Sequence, residues 1–124
     1  GEVLVVFDVD NFKQINDRYG HVQGDVCLAE IAECIKKVYA NDGYCYRIGG
    51  DEFCVLLKNS EKEGECRQEF LWRMEEKRRK IPFLPTVSYG SASFSGEDIV
   101  EVKERADRDM YQYKNKRKKR SSME

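Results

Sequence analysis

Tyr44-Cys45-Tyr46-Arg47-Ile48-Gly49-Gly50-Asp51-Glu52-Phe53-Cys54-Val55-Leu56-Leu57-Lys58 is the stretch on which the fold turns. Two apolar, β-forming runs, Tyr44–Ile48 and Phe53–Leu57, flank a pair of glycines. Such a pattern predicts a hairpin with strands over 44–48 and 52–58, because both central residues of the favoured tight turn take positive φ. Two carboxylates, Asp51 and Glu52, follow the glycines at once. A turn that exposes backbone amides beside paired acids can hold a phosphate and a divalent metal together. The same residues also suit an ordinary hairpin with a polar tip.

Working outward, Val3-Leu4-Val5-Val6-Phe7 is a continuous apolar run and reads as a strand buried on both faces, ending in Asp8-Val9-Asp10. A short helix or turn is expected over 10–18 and a longer helix over 25–39. In the latter, Leu28, Ile31, Ala32, Ile35, Val38 and Tyr39 recur at helical spacing before Asn41-Asp42-Gly43 stops them. Ser60-Glu61-Lys62-Glu63 fits a capping box for a helix over 61–79, with Cys66, Phe70, Leu71 and Met74 inward. Pro82 and Pro85 punctuate its exit. Thr86–Phe94 reads as a strand, and Ser95-Gly96-Glu97-Asp98 as a second capping box before a last helix over 98–116. The order is βαββαβ with an extra helix. That predicts an α+β sandwich of the ferredoxin-like kind, a central antiparallel sheet flanked by helices. In this topology the first strand lies beside the hairpin, so Asp8 and Asp51 are expected to meet at one edge.

The 124 residues make one domain with room for a real core. The 22 basic and 23 acidic residues leave a net charge of −1, so bulk charge selects no partner. Six of the seven residues from Lys114 to Arg120 are basic, which reads as a solvated helix end or as part of a phosphate site. The five cysteines (Cys27, Cys34, Cys45, Cys54, Cys66) are odd in number and include no C-x-x-C, and there is one histidine, so zinc spacing is absent. Several of them occupy apolar positions and read as small buried residues. Such thiols suit a reducing cytosol. No run reaches the length of a membrane span, and no signal-peptide pattern is present. The chain opens directly on a strand, and further residues upstream are therefore expected.

A magnesium ion prefers one or two carboxylates and fills its remaining positions with water and substrate phosphates. Asp8 and Asp51, with a backbone carbonyl near Val9, answer that demand. Glu52 is the neighbour that serves a second metal or takes a proton.

Residues 7–25, Phe-Asp-Val-Asp-Asn-Phe-Lys-Gln-Ile-Asn-Asp-Arg-Tyr-Gly-His-Val-Gln-Gly-Asp, together with Arg47-Ile48-Gly49-Gly50-Asp51-Glu52-Phe53, resemble a GGDEF domain, the catalytic domain of diguanylate cyclases. Thr86-Val87-Ser88-Tyr89-Gly90 is similar to the family's later strand, and Ala106-Asp107, Met110-Tyr111 and Lys114 to its final helix. The resemblance spans about residues 3–118, with 119–124 left as a basic and polar tail. It implies condensation of two GTP into cyclic di-GMP with release of two pyrophosphates, by a Mg²⁺- or Mn²⁺-dependent homodimer. It implies Asp8, the Val9 carbonyl, Asp51 and Glu52 as metal-binding, and Asp51 and Glu52 as catalytic. Glu52 is left between the second metal and deprotonation of the 3′-hydroxyl. Asn16 and Asp25 match the guanine-reading pair, which suits guanine's N1–H and N2–H₂ donors. Phe12, Lys13, Lys114 and Lys118 match substrate-binding positions, the lysines near the phosphates. His21 lies beside the base site and reads as structural. Gly49 and Gly50 would let the nucleotide approach the backbone, where a Cβ would clash.

Three departures stand out. Arg117 replaces a glycine of the final helix, and Lys118 replaces an arginine, a point charge in place of a bidentate fork. The family's inhibitory Arg-x-x-Asp falls on Ala40 and Gly43, which predicts weak or absent product inhibition. The family's opening helix is missing, which predicts a fragment of a longer protein with sensory or regulatory domains upstream. The domain is expected in the cytoplasm, without membrane or nucleic-acid contact. The alternative to an active cyclase is a catalytically silent GTP-binding module. A basic-tailed nucleic-acid binder gains only from residues 114–120, with no aromatic RNA-binding signature beside them.

Overall fold

Strand β1 (Glu2–Val9) is covered on both faces, and the rest of the architecture follows from that. The computed structural model describes the backbone of residues 1–123 and the side chains of residues 1–117, so the readings of Lys118 and of the tail 119–124 fall outside what it describes. After β1 come α1 (Phe12–Tyr19), α2 (His21–Tyr39), β2 (Gly43–Arg47), β3 (Glu52–Leu57), a 3₁₀ turn (Ser60–Lys62), α3 (Glu63–Lys80), β4 (Val87–Phe94) and α4 (Ile99–Met123). The sheet order is β2-β3-β1-β4 and every neighbouring pair is antiparallel. Two crossovers therefore interleave. The chain from β1 to β2 skips over β3, and the chain from β3 to β4 skips over β1. This is the expected ferredoxin-like α+β arrangement.

Alternation along β1 sorts its side chains into two cores. Val3, Val5, Phe7 and Val9 pack with Cys27, Ile31 and Ile35 of α2 and with Phe70 and Met74 of α3. Phe7 anchors that side, its ring 5.6 Å from Tyr39 and 5.1 Å from Phe70. Leu4 and Val6 face the other way and meet Val102 and Ala106 of α4. Helix α4 can lie directly on the sheet because β4 has no side chain at Gly90. A Cβ there would sit 2.3 Å from the Ala106 carbonyl oxygen and 2.3 Å from the Met110 nitrogen.

Several local expectations are corrected. Neither Gly49 nor Gly50 takes positive φ; among the described residues only Gly20, Gly96 and Asn11 do. The hairpin therefore closes through a wider loop, Ile48–Asp51, in which the Ile48 and Gly49 amides both donate to the Glu52 carbonyl at 2.9 and 3.3 Å. Arg47 braces the loop by donating to the carbonyls of Gly49 at 3.0 Å and Gly50 at 2.7 Å. The physical reason is tertiary. The Val9 amide donates to the Asp51 carbonyl at 3.0 Å, so the loop is drawn toward β1 instead of turning tightly on itself. Neither capping box forms. Asn59 caps the 3₁₀ turn through the Glu61 amide at 3.0 Å, and Asp98 caps α4 through the Val100 amide at 2.9 Å. Helix α2 begins at His21, earlier than expected, and α4 continues past 116. All five cysteines are free thiols, and burial pushes each thiol's pKa up.

Gly90→Ala should lower stability by about 1–3 kcal/mol through overpacking against α4. Urea denaturation measures this, and an unchanged midpoint would mean that α4 can lift off β4 freely.

Candidate functional site

The even-numbered face of β1 changes character along its length. Leu4 and Val6 are apolar, Asp8 continues the same face as an acid, and Asp10, just past the end of the strand, is turned to the same side. Helix α4 changes in step. Val102, Ala106 and Met110 make its apolar stripe, and the next residues on that side are Lys114 and Arg117. Lys114 Nζ lies 2.6 Å from Asp8 Oδ2, and Arg117 Nη2 lies 2.6 Å from Asp10 Oδ2. The hydrophobic seam between strand and helix thus ends in two parallel ion pairs.

Glu52 stands directly opposite Asp8 in the β1–β3 register, which puts both side chains on the α4 face. Glu52 also receives a cation from α4. Lys103 Nζ is 3.1 Å from Glu52 Oε1 and 2.9 Å from Asp107 Oδ2. The hydrogen bond that Lys103 donates to Asp107, seconded by its bond to Glu52, holds the Lys103 ammonium above its ordinary pKa. Asp51 is half-buried next to Glu52, with its carbonyl on the Val9 amide. Asp8, Val9, Asp51 and Glu52 therefore gather at one end of the sheet. The expectation that Asp8 and Asp51 meet at an edge is corrected in two respects. The meeting place is the end of the paired central strands β1 and β3 and not an edge strand, because β4 flanks β1 on its other side, and the residue paired with Asp8 is Glu52.

These donors suit a hard cation held jointly with a substrate. Among the described residues no three acid, histidine or cysteine side chains converge on one point. Magnesium needs only one or two carboxylates when phosphates and water complete its shell. Two of the acids at this end of the sheet are neutralised by lysines from α4, Asp8 by Lys114 and Glu52 by Lys103.

Asp10 was not singled out from the sequence, yet it is the most densely bonded acid of the site. Thr86 Oγ1 donates to its Oδ2 at 2.7 Å and Ser88 Oγ to its Oδ1 at 2.6 Å. Burial works against the charge on Arg117, but its bond to Asp10 keeps the guanidinium pKa above the ordinary value. Immediately after Asp10, Asn11 adopts the left-handed conformation with φ 56° and starts α1, a role that asparagine tolerates. Phe12 is half-buried against the core, and Lys13 is exposed on the first turn.

Asn16 lies farther along α1, and its Oδ1 is buried without a hydrogen-bond partner. A Cβ at Gly24 would sit 1.9 Å from that oxygen, so the glycine is what lets the amide press against α2. Asp25 follows Gly24 and is exposed, as is His21 at the start of α2. Asn16 and Asp25 are therefore brought to the same helix junction. Gly49 and Gly50 are exposed, and a Cβ at either would meet nothing within 4 Å. With ordinary φ and open space, nothing within the chain demands glycine at these two positions. Beyond Asp10, sequence reasoning missed Lys103 and the engagement of Arg117. The signal was present in the stripe 102–106–110–114 and in the two-residue spacing of Asp8 and Asp10.

A sequence profile described as "Diguanylate cyclase, GGDEF domain" matches residues 2–120. The chain is 32% identical over 127 residues to diguanylate cyclase A of Treponema denticola, covering 97% of this chain and 34% of that protein. It is 34% identical over 113 residues to diguanylate cyclase DgcS of Shewanella oneidensis, covering 90% of this chain and 38% of that protein. It thus spans about a third of the length of these curated relatives. Among solved structures, it is similar to the active GGEEF domain of a diguanylate cyclase from Vibrio cholerae, with TM-score 0.79, 28% identity, and 93% and 77% of the two chains covered. The GGDEF domain of DgcB from Caulobacter crescentus, solved in complex with c-di-GMP, matches with TM-score 0.79 and 31% identity over 92% and 72% of the two chains.

Asn16→Ala removes a buried acceptor that has no partner, so it should cost less than about 1 kcal/mol of stability. Chemical denaturation checks this; a loss of several kcal/mol would make the amide a structural element of the α1–α2 junction.

Proposed function

Because this chain belongs to the GGDEF family, we propose that it is a diguanylate cyclase domain that joins two GTP into cyclic di-GMP and releases two pyrophosphates. The observation that supports this most is the gathering of Asp8, Asp51 and Glu52 at the end of β1, with Asn16 and Asp25 at the neighbouring helix junction. Each subunit of a homodimer carries one GTP. The 3′-oxygen of one nucleotide attacks the α-phosphorus of the other, the bond to the bridging α–β oxygen breaks, and pyrophosphate leaves with that oxygen. The proton of the 3′-hydroxyl passes to a base, and the step repeats with the roles exchanged.

Asp8, the Val9 carbonyl and Asp51 would hold a divalent cation, with Glu52 either completing a second ion's shell or accepting the 3′-hydroxyl proton. A bound Mg²⁺ or Mn²⁺ supplies positive charge to the phosphates and acidity to the attacking hydroxyl. The remaining work belongs to side chains. Lys13, Lys114 and Lys118 bring positive charge toward the phosphates and the leaving pyrophosphate. Asp25 accepts from N1–H and N2–H₂ of guanine, Asn16 pairs its acceptor edge, and Phe12 and His21 border the base and phosphate regions. Gly49 and Gly50 leave the backbone open to the nucleotide.

A catalytically silent GTP-binding module is the second reading, favoured by the departures at Arg117 and Lys118. We also propose regulatory domains elsewhere in the full protein and a cytoplasmic site of action. Among the described residues no helix is long and apolar enough to cross a membrane.

A forced dimer, made by fusion to a parallel leucine zipper, is expected to convert GTP to cyclic di-GMP in Mg²⁺, read by chromatography. Glu52→Gln should abolish turnover while leaving GTP binding and the fold intact. GTP binding without product in the unmodified chain would select the silent module. Product inhibition is expected to be weak, since the inhibitory motif falls on Ala40 and Gly43. Gly43 also has no room for a side chain, because a Cβ there would sit 2.3 Å from the Leu56 carbonyl oxygen. Titrating cyclic di-GMP into the turnover assay checks this, and strong inhibition at low product concentration would contradict it.

A further inference from the structure

Arg117 stands where the family resemblance leads one to expect glycine, and its surroundings are built for it. Its guanidinium bonds Asp10 at 2.6 Å and reaches Ser88 Oγ at 3.3 Å, and it lies over the Tyr113 ring at 5.1 Å from the centroid. Tyr113 in turn packs against Tyr89 of β4, the ring centroids 4.6 Å apart and the planes tilted by 31°. Ser88 is fully buried, and the Asp10 side chain is 10% exposed. Asp10 is thus oriented by Thr86 and Ser88 independently of Arg117, and Arg117 supplies the one positive charge among these partners.

We propose that Arg117 is a positioning residue for phosphate recognition, clamping α4 to the β1–α1 connection so that Lys114 is held over the phosphate end of the site. This rests on reading the site as a GTP site. Lys114 and Arg117 are about one turn apart on α4, Asp8 lies on β1, and Asp10 lies just past the end of β1 on the same side. Asp10 is nearly covered and held by Thr86 and Ser88, so its pair with Arg117 fixes α4 here, and the more exposed Lys114–Asp8 pair depends on that placement. The choice of arginine matters, because its guanidinium reaches Asp10 and Ser88 through Nη2 while its central carbon lies over the Tyr113 ring, a spread of contacts that a compact ammonium does not reproduce. Lys114 is such a flexible stem, and its placement depends on the backbone that carries it. The guanidinium is turned inward to Asp10, so its action on a nucleotide passes through Lys114.

The test is equilibrium binding of GTP and of GMP to the whole chain, with Arg117→Gln, Lys114→Met and the double variant. Arg117→Gln should weaken GTP about tenfold and leave GMP within about twofold, because GMP lacks the phosphates that Lys114 reaches. In the Lys114→Met background, Arg117→Gln should add no further loss, the non-additivity of residues that act through one another. Arg117→Lys should recover part of the loss. Should Arg117→Gln fail to fold, Asp10→Asn breaks the same pair and should reproduce the GTP-selective loss. Equal losses for GTP and GMP would make the clamp merely structural. Additive losses in the double variant would make Arg117 a phosphate contact in its own right. Either result, or unchanged GTP affinity in Arg117→Gln, overturns the proposal while leaving the GTP reading standing. Failure of the unmodified chain to bind GTP would overturn that reading itself.

Discussion

Everything in this molecule leans on the double burial of β1. The strand sits between β3 and β4 with α2 and α3 on one face and α4 on the other, so each of its side chains meets a protein surface. Apolar residues answer that requirement as far as Phe7. At Asp8, and at Asp10 just past the strand's end, carboxylates lie under α4, and an acid in that position is tolerable only with a partner. Helix α4 supplies one at each step, Lys114 and then Arg117. The apolar seam and the charged site are one continuous strand–helix contact whose chemistry changes halfway.

The same contact explains why the site is both held and poised. Lys114 and Lys103 neutralise Asp8 and Glu52 without filling the coordination needs of a hard cation, and both pairs are partly exposed to solvent. Exposed pairs contribute little stability and exchange partners readily. Asp10 behaves differently. It is nearly covered and bonded by Thr86, Ser88 and Arg117, a satisfied network of the kind that rigidifies its surroundings. A fixed Asp10 next to a replaceable Asp8 separates the anchoring of α4 from the chemistry beside it.

The hairpin shows how a local signal can give the right element for the wrong reason. Gly49 and Gly50 do mark a connection between two antiparallel strands, but not through positive φ. The loop is set by the Val9–Asp51 hydrogen bond, which reaches it from β1, and by Arg47, which bonds the loop's own carbonyls from the strand just before it. The glycines are left with open space around them, so nothing inside the chain requires their absent side chains.

Element types and order were legible in the sequence, because β1 is continuously apolar and α2 and α3 carry helical spacing that no strand would show. Asp8, Asn16, Asp25, Asp51 and Glu52 could be singled out as candidates because they sit in local runs whose order can be matched. Helix ends were less legible, since Asn59 and Asp98 outcompeted the serines once the chain turned around them. The pairing of each acid with its cation could not be read in advance. Lys103 with Glu52, Lys114 with Asp8 and Arg117 with Asp10 join positions far apart in the chain. Charge in a sequence carries no address; only the register of β1 against β3 and the seat of α4 on Gly90 decide which carboxylate each cation meets.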